Sequence, residues 1–117
     1  MLALATGAPA HASGDAVRGQ ALYQSRCAAC HSIDVSMAGP AHRGVFGRKA
    51  GAVGDFQYSA ALKASRIVWN TRNLDLWLAD PQKLIPGQAM NVRTADAAER
   101  ADLIAYLKSQ STVTAPK

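Results

Sequence analysis

The stretch Cys27-Ala28-Ala29-Cys30-His31 constrains this 117-residue chain more than any other part of it. On a helix, residues three and four apart share a face. Two sulfurs and an imidazole can therefore point the same way within little more than one turn. C-x-x-C-H is the spacing at which haem is attached covalently. Cys27 and Cys30 would each take one vinyl group, and His31 would turn its ring toward the iron as a strong axial ligand.

Other uses of the two thiols fit less well. A structural zinc site needs four thiolate or imidazole ligands. The chain has two cysteines and three histidines, and His11 sits in an apolar N-terminal stretch. A thioredoxin-like dithiol follows a strand in a βαβ unit, and no strand-like alternation precedes Cys27. A disulfide between Cys27 and Cys30 would close a tiny loop with poor geometry and little stabilisation.

The length allows one small domain. Aromatic residues make up only 6% of it, so the protein's own core would be thin. A buried porphyrin would supply the missing apolar surface, and a covalent staple helps a core of this size. The formal charge is +5, which suits an acidic partner, an anionic membrane or nucleic acid. The cations are scattered singly, with Arg48-Lys49 the one adjacent pair. Scattered charge also describes an ordinary solvated face. There is no aromatic–basic ladder of the kind that binds single strands, so no nucleic-acid role is expected. No apolar run is long enough to span a bilayer, so stable membrane insertion is not expected either.

Met1 to Ala12, MLALATGAPAHA, carries no Lys, Arg, Asp or Glu. It ends Ala10-His11-Ala12, an A-x-A arrangement that suits the end of a secretory signal peptide. The usual basic start is missing, and an Ala-rich frayed terminus is the alternative. Helical patterning then runs from Asp15 to about Cys30. Gly19 inside it costs roughly 1 kcal/mol relative to Ala, which implies close approach by another element.

Residues 32–58 show little periodicity and many glycines. So long a loop needs an explanation, and wrapping a flat cofactor is one. Ser59 opens a short helix to Arg66. Thr71 caps a helix to Asp80 with a Leu74, Trp77, Leu78 stripe, and Pro81 stops it. Met90 follows the Pro86-Gly87 turn, where periodicity gives a core methionine no reason to sit. Its thioether is the expected sixth iron ligand, and soft sulfur raises the potential. Thr94 caps a last helix to about Gln110, carrying Leu103, Ile104, Tyr106 and Leu107. The domain expected is 13–110, between a leader, 1–12, and a tail, 111–117.

In these stretches, GDAVRGQALYQSRCAACH, GPAHRGVFGRKAG, ADPQKLIPGQAM and ERADLIAYLK, together with Tyr58 and Trp69, the chain resembles the class I, mitochondrial-like cytochromes c. The resemblance implies an all-α fold of three to five helices wrapped around one covalent haem c, with the first and last helices crossing through Gly19, Tyr23, Leu103 and Tyr106. It implies that Cys27 and Cys30 hold the haem and that His31 and Met90 ligate the iron. The Pro40 carbonyl would accept the Nδ1–H of His31. Arg48, Tyr58 and Trp69 would serve a buried propionate.

There are departures from the family. Trp77 stands where tyrosine is common, near the Met90 sulfur. Gln88 replaces a threonine and Ala89 a lysine, and the usual aromatic between Met90 and Glu99 is absent. His42 replaces a leucine that packs beside the haem. The expectation for His42 is a ring turned to solvent; a buried, hydrogen-bonded ring and a functional proton or ligand site are the alternatives.

The function implied is that of a monomeric, exported, periplasmic carrier of single electrons rather than an enzyme. Lys83, Arg26 and Arg93 would steer acidic redox partners to the haem edge. Such partners would be a membrane quinol–cytochrome c reductase, a terminal oxidase or a periplasmic oxidoreductase. A haem peroxidase or gas-binding sensor is the alternative, should Met90 leave the iron easily.

Overall fold

Asp15 caps the first helix. Its carboxylate accepts from Val17 N at 2.8 Å and Arg18 N at 3.0 Å, satisfying two amides that the helix cannot pair itself. The computed structural model describes residues 14–111. Over these the chain forms α1 (Ala16–Arg26), α2 (Ala60–Lys63), α3 (Thr71–Ala79), α4 (Pro81–Leu84) and α5 (Ala97–Ser109). The one β-type pairing among the described residues is an isolated antiparallel bridge between Lys49 and Val68. The expected leader, 1–12, lies outside the described residues, as does the tail beyond Ser111.

The expected crossing of the first and last helices is present. Gly19 is buried where α1 meets α5. A Cβ there would overlap the Asp102 carbonyl and lie 2.9 Å from the Tyr106 Cβ. Tyr23, one turn on, packs its ring 5.2 Å from that of Tyr106. Arg26 closes the far end with two bonds to Glu99, at 2.7 and 3.2 Å. At the near end Asp102, only 6% exposed, accepts from Asp15 N at 2.7 Å and Arg18 Nε at 3.1 Å.

Asp102→Ala would orphan that partly buried amide, at a cost of about 1–3 kcal/mol. Asp102→Asn, which keeps an acceptor, should recover much of the loss. Urea midpoints of the two variants check this.

Several boundaries differ from the sequence expectation. α1 ends at Arg26 with Cys27 as its C-cap, so the C-x-x-C-H stretch is a turn beyond the helix. There Cys27 O accepts from both Cys30 N (3.1 Å) and His31 N (2.9 Å), which keeps helix-like spacing while the chain turns away. Asn70, not Thr71, caps α3 through Asn73 N at 2.8 Å. Asp96, not Thr94, caps α5 through Ala98 N at 2.8 Å. Thr94 lies two residues before this cap; it is buried, and its amide donates to Leu78 O at 2.7 Å. Pro81 does end α3, but it also opens α4, because the first helical position needs no N–H.

The stripes point inward as expected. Leu74, Trp77 and Leu78 of α3 join Leu103, Ile104, Tyr106 and Leu107 of α5 in one core. Arg100 ties the two helices, donating to Asp75 at 2.7 Å and to the carbonyls of Thr94 and Ala95 at 2.9 Å. The long loop is fixed by backbone bonds to the segment before α3: Gly47 N to Trp69 O, Ala50 N to Ile67 O, and Trp69 N to Arg48 O. The helices and this loop leave a space between them.

Candidate cofactor site

That space is a cavity of about 350 Å³. Cys27, Cys30, His31, Pro40, Arg48, Tyr58, Trp69, Trp77 and Met90 all border it. Every candidate picked out in the sequence is thus brought to one place. Its apolar walls come from the long loop (Val45), α2 (Leu62), α3 (Leu74, Leu78) and α5 (Leu103, Leu107).

His31 sits at a fixed angle on one side. Its Nδ1 lies 2.8 Å from Pro40 O. A carbonyl only accepts, so Nδ1 carries the proton and Nε2 keeps its lone pair. Burial also pushes the ring below its ordinary pKa, partly offset by that Pro40 bond. A neutral ring is the form that binds metal. Gly39 completes the seat: a Cβ there would run into the His31 imidazole, 2.6 Å from Nε2. In the sequence this glycine reads only as turn punctuation.

Met90 is held by its backbone. Gly87, at φ +94°, makes the turn that delivers it, and Gln82 Oε1 accepts from Gly87 N at 2.9 Å. The Gln88 side chain folds under the next residues, so that Oε1 accepts from Met90 N. Gln88 is only 4% exposed and its Nε2 has no partner. Nothing in the sequence distinguishes this glutamine from an ordinary surface one.

Both cysteines are free thiols, Cys27 half-buried and Cys30 exposed. Burial raises the Cys27 thiol, with Arg26 pulling the other way. Arg48 spends part of its guanidinium on the carbonyls of Ala41 and Arg43, both at 3.0 Å, and burial works against its charge. Tyr58 accepts from Val53 N at 3.0 Å, which leaves its own proton to donate. The rings of Trp69 and Trp77 meet edge to face at 5.1 Å.

His42 departs from expectation. Its ring is not turned to solvent. It stacks on His31 with centroids 3.9 Å apart and planes within 20°, and Nδ1 lies 2.9 Å from the Tyr23 hydroxyl. Burial, with His31 and Arg48 adding, pushes its pKa down to about 3, so the ring is neutral at pH 7. The alternative of a buried, hydrogen-bonded ring is the one the fold adopts, because Tyr23 offers a partner inside.

The expected steering cations are also sorted. Arg26 is neutralised by Glu99, and Arg93 lies 3.8 Å from Asp80. Lys83 pairs with no carboxylate among the described residues.

These residues fit a haem. Two thiols border an apolar cavity, an imidazole offers a free lone pair, a thioether borders the same space, and an amide donor is left for an acidic edge. Among the described residues, no group of three or more His, Cys, Asp or Glu could hold a bare metal ion instead. The fold and site define a helical protein built to carry a covalently attached haem.

Residues 16–111 match the family model for cytochrome c. The chain is 47% identical to cytochrome c of Tetrahymena pyriformis, over 82% of this chain and 89% of that one. It is 42% identical to cytochrome c of Euglena viridis, over 82% and 97% of the two chains. Among solved structures it is similar to cytochrome cH from Methylobacterium extorquens, with a TM-score of 0.78 and 40% identity, covering 82% of this chain and 99% of that one. The chain belongs to the cytochrome c family: it is an electron carrier with one covalently bound haem c, not an enzyme.

Proposed function

We propose that this carrier works as a monomer in a periplasmic electron-transport chain, with its haem bonded to Cys27 and Cys30 and ligated by His31 and Met90. The observation that carries the ligand set is the His31–Pro40 bond, which directs a basic nitrogen away from its own backbone at a cavity that Met90 and both cysteines share. The bound haem supplies a one-electron Fe(III)/Fe(II) couple. The protein's part is to hold both ligands still between oxidation states. Pro40 and Gly39 do so for His31, and Gln88 and Gly87 for Met90. Arg48, the Tyr58 proton, Trp69 and the orphan Gln88 amide are the groups available to a propionate. Trp77 borders the same cavity where a tyrosine is usual.

The periplasmic placing is supported by the A-x-A sequence before Ser13, which ends a leader over 1–12. No helix among the described residues is long and apolar enough to cross a membrane. The domain would be 13–110, with 111–117 as a tail. An acidic redox partner would meet Lys83, and such contacts are small and short-lived. Expression in a haem-competent bacterial host, followed by fractionation and a haem stain on a denaturing gel, tests the proposal. Stained protein in the periplasm with its N-terminus at Ser13 is expected; colourless or cytoplasmic protein refutes it.

Met90→Ala should keep the haem covalently attached but open the iron. The ferric protein is then expected to bind cyanide or azide readily and to turn high-spin, where the parent resists both. An unchanged ligand-binding spectrum would count against Met90 as a ligand. A parent that is already high-spin at neutral pH would favour the peroxidase or sensor alternative.

A further inference from the structure

We infer that His42 is a positioning residue for electron transfer, fixing the rotation of the proximal imidazole and favouring the oxidised state. This rests on the reading of His31 as an iron ligand. The geometry is specific. Two imidazoles lie nearly parallel, 3.9 Å apart, and one is tied to Pro40 O at 2.8 Å while the other is tied to the Tyr23 hydroxyl at 2.9 Å. Each ring is therefore held both by an in-plane hydrogen bond and by the face of its neighbour. Tyr23 is itself clamped between His42, edge-on at 5.6 Å, and Tyr106 at 5.2 Å. The proximal ring is thus linked, side chain by side chain, to the α1–α5 crossing.

The electrostatic sign follows from the stacking. An aromatic face is negative, and a positive group placed over it is favoured. An imidazole bound to ferric iron carries more positive charge than one bound to ferrous iron. The His42 face, held over His31 by the bond to Tyr23, therefore stabilises the oxidised state more than the reduced one. An aliphatic side chain offers neither this face nor a hydrogen bond for Tyr23. His42 holds the midpoint potential below the value that leucine would give in the same fold.

The test uses the haem-loaded protein and two readouts that a purely structural role would not move together. These are the midpoint potential and the hyperfine-shifted proton resonances of the ferric state, which report the orientation of the axial imidazole. His42→Leu is expected to lower the ferric-to-ferrous ratio at fixed applied potential about tenfold, a rise of about 59 mV for a one-electron couple, and to move those resonances. His42→Phe, which keeps a ring face but loses the nitrogen, should give a smaller rise. Tyr23→Phe should also raise the potential, and it should add nothing in the His42→Leu background.

Should His42→Leu fail to assemble, Tyr23→Phe, which loses a single oxygen, decides the matter alone. A potential and resonance pattern unchanged in that variant overturns the inference, as does an unchanged or lowered potential in His42→Leu. Full additivity of the two changes overturns it too. A parent protein without a low-spin, His-ligated spectrum would instead refute the underlying ligand reading.

Discussion

Gly19→Ala should destabilise the protein by about 1–3 kcal/mol, and Gly19→Val by more, because overpacking against a surface that cannot yield carries this order of cost. The sign is the informative part. Helix propensity favours Ala over Gly by about 1 kcal/mol, a difference that arises largely from the greater freedom of glycine in the unfolded chain. Local reasoning alone thus predicts a more stable protein. The added Cβ, however, would overlap the backbone carbonyl of Asp102, and no rotamer change removes a carbonyl. The two helices would have to separate, loosening the Tyr23–Tyr106 contact and the Arg26–Glu99 pair along with them. Gly54→Ala is the control: nothing lies within 4 Å of a Cβ there, so its urea midpoint should hold or rise. A higher midpoint for Gly19→Ala would mean that the helices do not cross at this residue.

That Gly19 could be read as a crossing point from sequence illustrates what was legible there. A glycine in mid-helix has a known cost and few reasons to exist. The stripe of Leu74, Trp77 and Leu78 was equally plain, since side chains three and four apart must share a face and α3 buries that one. The cavity's chemistry was legible because its parts are local: two thiols and an imidazole in five residues, and a thioether just after a forced turn. What stayed hidden depended on partners distant in sequence. The ring of His42 turned inward because Tyr23, 19 residues earlier, supplies a hydroxyl. Arg26 reads as a steering cation in the sequence because its partner, Glu99, lies 73 residues later. The caps at Asn70 and Asp96 are hidden for a different reason. Thr71 and Thr94 are also capping residue types, but Thr71 is already the first residue of α3 and Thr94 lies two residues before the Asp96 cap. α4 is hidden because a proline that ends one helix also begins another.

Replacing Cys27 and Cys30 together by alanine should abolish haem retention on a denaturing gel, and the folded state should be lost or reduced to a loosely packed one. The first half follows from chemistry, since both thiols border the cavity and neither is spent in a disulfide. The second follows from how the shell is built. Val45, Leu62, Leu74, Leu78, Leu103 and Leu107 turn toward the cavity, so much of the core's apolar surface is arranged to meet a group that is not protein. Burial is worth roughly 25 cal/mol per Å² of apolar surface, and a chain this short has little core to spare. The single variants separate the two effects. Cys27→Ala and Cys30→Ala should each keep one covalent bond and retain stain, with lower urea midpoints than the parent. Near-ultraviolet circular dichroism of the double variant, which reports fixed tertiary packing, should collapse while far-ultraviolet helical signal partly persists. A double variant that keeps the parent's near-ultraviolet spectrum and midpoint would show that the helices pack against one another without the cofactor, and the account of this cavity as the centre of the fold would fail.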